Sequence, residues 1–135
     1  MHALFHKSRH MNPLLLVFAI FAYSDAAQCT SADIAIWKNQ TKFSHDFRVI
    51  ARMSLGRKAV VLSRLRRNYP SMTPSCMECH AETLGCSILN CKSPCTQSQI
   101  SLDCRLCVET HCIPPYKECI GVTDDDDLPI PPWKL

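Results

Sequence analysis

From Phe43 to Tyr69 the apolar residues recur at helical spacing. Phe43, Phe47, Ile50 and Ala51 form one set and, past Gly56, Val61, Leu62, Leu65 and Tyr69 form a second. Residues three and four apart share a helical face, and a glycine inside such a pattern marks a break. The stretch therefore predicts two helices or one bent helix. Before it, Ile34 and Trp37 also share a face. Thr30 or Ser31 is placed to cap that short helix, with Asp33 at its positive end.

Further along, Thr73-Pro74-Ser75 has the form of a helix opening, with Thr73 as cap and proline in the first turn. That helix is expected to run to about Leu84, with Gly85 as its stop. A second follows from Asp103 to Cys112, where Pro114-Pro115 breaks it, and Tyr116 to Val122 forms a further short turn. The fold class expected is all-α, a small disulfide-rich domain of four or five short helices.

The N-terminus has a different pattern. Lys7 and Arg9 precede an apolar run of ten residues, Leu14 to Tyr23, and small residues follow at Ser24, Ala26 and Ala27. This is the plan of a secretory signal peptide at residues 1–27, and the run is well short of the ~20 residues that span a bilayer. The expected division is a signal at 1–27, a helical domain at 28–122 and an acidic, proline-rich disordered tail at 123–135. In the tail Asp124 to Asp127 repel one another and Pro129, Pro131 and Pro132 favour extension.

Export changes the meaning of the ten cysteines: Cys29, Cys76, Cys79, Cys86, Cys91, Cys95, Cys104, Cys107, Cys112 and Cys119. All lie beyond the signal, their number is even, and in an oxidising compartment they are expected to pair as five disulfides. Spacing leaves the connectivity open. The same setting weighs against two metal patterns. Cys76-Met77-Glu78-Cys79-His80 matches covalent haem attachment, and Cys76, Cys79, Cys104 and Cys107 match a four-thiolate zinc site. Either would leave most of the cysteines unexplained, so no cofactor and no metal is expected.

Charge is unevenly spread. Lys38 to Arg67 holds nine basic residues against Asp46 alone, whereas Asn68 to Leu135 holds four basic and nine acidic ones. The two halves can face each other, or the basic half can meet an anionic partner such as a membrane surface through residues 43–67. Nucleic acid is not expected. Arg64-Leu65-Arg66-Arg67 has the form of a paired-basic processing site, although a cut after Arg67 would leave nine cysteines in the downstream piece. Asn39-Gln40-Thr41 is a glycosylation sequon that points to Asn39. His45, His80 and His111 fall in no nucleophile or metalloprotease motif, and no enzymatic activity is expected.

The opening Cys29-Thr30-Ser31-Ala32-Asp33-Ile34-Ala35-Ile36-Trp37 and the close Cys104, Cys107, Cys112, Tyr116, Cys119, Gly121 carry a likeness. The chain resembles a group of small secreted cysteine-rich proteins of aquatic invertebrates and protists, which share both motifs. Where that group has further cysteines around a C-L-G motif, alignment on Leu55-Gly56 puts Ile50, Ser54, Val60 and Arg64 here. The resemblance implies a secreted helical fold that includes residues 29–67, and it brings no activity. The function expected is that of a secreted, non-enzymatic interaction protein binding an extracellular protein or receptor. The alternative is a precursor with a membrane-active basic helix at 43–67, cleaved after Arg67.

Overall fold

The computed structural model describes residues 27–38 and 41–129. The signal segment 1–26, the sequon residue Asn39 and the last residues of the tail, 130–135, lie outside them. Among the described residues six α-helices follow in order: α1 Ser31–Lys38, α2 Thr41–Ser54, α3 Lys58–Asn68, α4 Pro74–Cys95, α5 Leu102–His111 and α6 Ile113–Ile120. There is one more helix than expected because Ile113–Ile120 forms a full helix. α5 ends at His111, within one residue of the end expected ahead of Pro114 and Pro115. The two prolines occupy the first turn of α6, where the missing N–H groups have no helical partner to lose.

The break expected at Gly56 is present. Leu55 and Gly56 both have positive φ, 49° and 73°, and they turn α2 back into α3. The stop expected at Gly85 is not. α4 continues through Gly85 to Cys95, with Pro94 in its last turn. A helical glycine costs roughly 1 kcal/mol relative to alanine, which neighbouring packing and cross-links readily outweigh. Nothing lies within 4 Å of the place a Cβ would occupy at Gly85. Gly85→Ala is thus expected to raise the unfolding free energy by about 0.5–1 kcal/mol in a chemical denaturation curve.

The ten cysteines form five disulfides, Cys29–Cys76, Cys79–Cys119, Cys86–Cys112, Cys91–Cys107 and Cys95–Cys104, and none is free. The last three are nested. They step outward from the 96–101 loop as rungs between α4 and α5, which run antiparallel and form a stapled hairpin. The other two fasten α4 to the segment before α1 and to α6. All five bonds therefore use α4. Disulfides closing loops of this kind typically add ~2–4 kcal/mol each by restricting the unfolded chain.

α1, α2, α3 and α6 wrap the first half of α4. Trp37, Phe43, Ile50, Val61, Leu65 and Ile120 fill the core against Met77, Ala81 and Leu84 of α4. The start of the acidic tail departs from the disorder expected of it. Asp125–Asp127 forms a single 3-10 turn, the Trp37 Nε1–H donates to the Asp127 carbonyl at 2.8 Å, and Leu128 packs on the core. Lys38 pairs with Asp127, and Lys117 with Asp125 at 2.9 Å. Cations from the body thus offset the mutual repulsion of the aspartates. Lys58 likewise pairs with Glu78 and Glu82, so the basic and acidic halves meet in the fold.

Candidate functional site

Two places in the fold are candidates, one built from residues that the sequence singles out. The first is where the N-termini of α1 and α4 converge on Asp33. Thr30 caps α1 and forms a capping box with Asp33. The Thr30 hydroxyl accepts from the Asp33 N–H at 3.2 Å, and the Asp33 carboxylate accepts from the Thr30 N–H at 2.8 Å. The same carboxylate reaches α4. It accepts from the Thr73 N–H at 2.7 Å and the Thr73 hydroxyl at 2.8 Å, while that hydroxyl accepts from the Cys76 N–H. With the Thr30 hydroxyl at 2.9 Å, four donors surround one buried carboxylate. Burial alone would raise its pKa. The bonds from Thr30 and Thr73 outweigh burial and hold it below the usual value of 3.8.

Directly beneath lies His80, wholly buried and ringed by Trp37, Phe43, Phe47 and Tyr116 at centroid distances of 5.2, 5.2, 5.5 and 5.6 Å. Its Nδ1 is 2.7 Å from the Tyr116 hydroxyl and its Nε2 is 3.8 Å from Cys76 Sγ. The sulfur belongs to a disulfide and can only accept. This fixes the tautomer: Nε2–H donates to sulfur and Nδ1 accepts from Tyr116. Burial lowers the pKa of His80 to about 3, against the weaker pull of the Asp33 carboxylate, and raises that of Tyr116. His80 is a neutral, hydrogen-bonded core histidine.

This geometry accounts for the motif residues. In Cys76-Met77-Glu78-Cys79-His80 the first thiol goes to Cys29, the second to Cys119 and the imidazole to Tyr116. The four cysteines of the zinc-like spacing go to four different partners, Cys29, Cys119, Cys95 and Cys107's neighbour across the hairpin, Cys91. Cys29, Cys76 and His80 do bring three potential ligand atoms within 4.8 Å of one another, but the two sulfurs are bonded to each other. Both halves of the shared motif pattern are likewise frame residues. Thr30 and Asp33 cap helices, Trp37 fills the core, Tyr116 holds His80, and Gly121 closes α6 with φ of 79°.

Residues 43–67 form α2 and α3, with Phe43, Ile50, Val61 and Leu65 buried in the common core. No helix among the described residues is long and apolar enough to cross a membrane. Arg64, Arg66 and Arg67 lie on α3, the last two in its final turn and exposed. Of the four positions around the Leu55-Gly56 turn, Ile50 and Ser54 lie on α2 and Val60 and Arg64 on α3. Ser54 caps the turn, its hydroxyl accepting from the Gly56 N–H.

The second place was missed by sequence reasoning. A cavity of about 440 Å³ opens between one face of α2 and the second half of α4, where Ser44, Phe47, Arg48 and Ala51 look across at Thr83, Leu84, Ser87 and Ile88. Cys104 and Val108 of α5 close one side, Ile113 and Tyr116 of α6 contribute to the lining, and Pro129 lies at its edge. Phe47 and Ala51 belong to the same apolar set as Phe43 and Ile50, and stand at the edge of it that borders the cavity. Which part of that set meets a neighbour and which a void depends on where α4 is held. Comparison with protein-family models, with known proteins and with solved structures finds no match for this chain.

Proposed function

We propose that the protein is a secreted, non-enzymatic binding protein whose disulfide frame presents a preformed surface to an extracellular partner. The observation that carries this reading is how the reactive-looking groups are used. Asp33, His80, Tyr116 and all ten cysteines hold the frame together, and none is left exposed with a perturbed pKa as a catalytic group would be. Five disulfides fit an oxidising compartment. A frame of this kind lowers the ordering cost of binding. The membrane-active alternative draws less support, because the apolar residues of 43–67 that it would need are packed in the core.

Intact mass of the secreted protein tests this, measured with and without reduction and alkylation. The expected result is one chain beginning near Ala27 that takes up ten alkyl groups only after reduction. A cut after Arg67 would add one water to the non-reduced mass, since Cys29–Cys76 joins the two pieces, and would separate them only after reduction. Thiols that alkylate without reduction would overturn the reading.

A further inference from the structure

We infer that the cavity between α2 and α4 is a binding site for a single-chain carboxylate, an alkyl tail with one anionic head. The inference rests on the binding-protein reading above and names its ligand. Its volume, about 440 Å³, lies within the roughly 300–1,000 Å³ of small-ligand sites. Phe47, Ala51, Leu84, Ile88, Val108 and Ile113 make its wall apolar. A wall of this kind favours contact with an alkyl chain over contact with water.

The cations of the lining specify the head group. Arg48 lies on the same face of α2 as Ser44, one helical turn on, and Lys92 of α4 also lines the cavity, at its exposed side. Neither forms an ion pair among the described residues, whose salt bridges use Lys38, Lys42, His45, Lys58 and Lys117. No aspartate or glutamate is found among the described lining residues. An apolar cavity whose described lining holds two cations outside any ion pair and no carboxylate is complementary to an anionic amphiphile. Arginine in particular suits the planar carboxylate, which it can grip with two parallel N–H bonds.

The test is calorimetric titration of the full oxidised chain with dodecanoate, dodecan-1-ol and dodecyltrimethylammonium, each below its micelle concentration. Dodecanoate is expected to bind once per chain, the alcohol about tenfold more weakly or worse, and the cation undetectably. Replacing both Arg48→Gln and Lys92→Gln should reduce dodecanoate to the affinity of the alcohol and leave the alcohol unchanged. Ala51→Trp should block all binding. If that variant does not fold, shifts of the Ala51, Ile88 and Val108 methyl resonances in the unaltered protein on adding dodecanoate report the location.

Equal affinity for acid and alcohol, or a preference that survives the double charge substitution, would overturn the proposal. So would probes that enter only a chain ending at Pro129, because the cavity would then belong to the protein's own residues 130–135. If the protein is fully oxidised yet takes up none of the probes, the ligand class fails and the binding-protein reading stands. Free thiols would remove both.

Discussion

Asp33→Ala is expected to destabilise the protein by about 3 kcal/mol or more, the largest effect of any single polar substitution outside the disulfides. The change removes the shared acceptor of the Thr30 and Thr73 N–H groups and hydroxyls, and leaves the half-buried donors of Thr73 over the space the buried carboxylate filled. Each buried donor that loses its partner costs about 1–3 kcal/mol, and more where the lost acceptor was charged. Both helix starts are weakened at once, because one carboxylate serves α1 through Thr30 and α4 through Thr73. Denaturant unfolding would measure the loss. The pH dependence follows the sign of the shift. Asp33 has a folded pKa below its usual 3.8, so its contribution is complete above pH 4 and is lost as pH falls through the lower folded value. Asp33→Asn should lose stability at neutral pH and show less further loss below pH 4. A variant as stable as the parent would show that the four bonds contribute nothing net.

The second large effect belongs to His80 and occupies a different pH window. Its folded pKa is depressed to about 3, against 6.5 for the free side chain. Below pH 6.5 the unfolded chain takes up a proton that the folded chain does not. Stability is therefore complete above pH 6.5 and declines by about 1.4 kcal/mol for each pH unit down to about 3, a total of several kcal/mol. Between pH 6.5 and 4 this loss precedes that from Asp33.

Replacing His80 alone by phenylalanine strands the Tyr116 hydroxyl in the core and should cost about 1–3 kcal/mol at neutral pH. Pairing His80→Phe with Tyr116→Phe removes both polar partners together. The double variant should recover most of that loss and show the pH 6.5–4 slope reduced by one proton. Stability measured by denaturant at several pH values decides this. An unchanged slope would mean that His80 titrates normally and is not held neutral by burial.

The two sites differ in how readable they were. At Asp33 the signals were local: Thr30 before a helical pattern, an acidic residue three positions on, and Thr73-Pro74 at the head of the next helix. Each motif declares a helix start by itself. What no local pattern says is that the two starts share one carboxylate, since Asp33 and Thr73 are 40 residues apart. At Cys76-Met77-Glu78-Cys79-His80 the spacing suggested metal chemistry. The outcome turned on partners 47 and 40 residues away for the thiols and 36 for the imidazole. Gly85 failed as a boundary signal, and Pro114-Pro115 marked the end of α5 without announcing the helix they begin, for a related reason. A glycine costs a helix only about 1 kcal/mol, and prolines are as compatible with a helix start as with its end. The aspartates of the tail repel one another in isolation, but Lys38, Lys117 and the Trp37 indole reverse their preference once the body is folded.

The sequence by itself determined the helical class, the positions of the caps and of the α2–α3 turn, and the even cysteine count that calls for full pairing. These follow from periodicity, from the chemistry of residues next to one another and from parity. Only the tertiary structure decided which cysteines pair, that His80 is a core residue, and that Phe47 and Ala51 of α2 border a cavity. Those outcomes depend on how α4, held by all five disulfides, sets the spacing of helices far apart in the chain. Periodicity shows which face of a helix is apolar, and it carries no information about the distance to whatever that face meets.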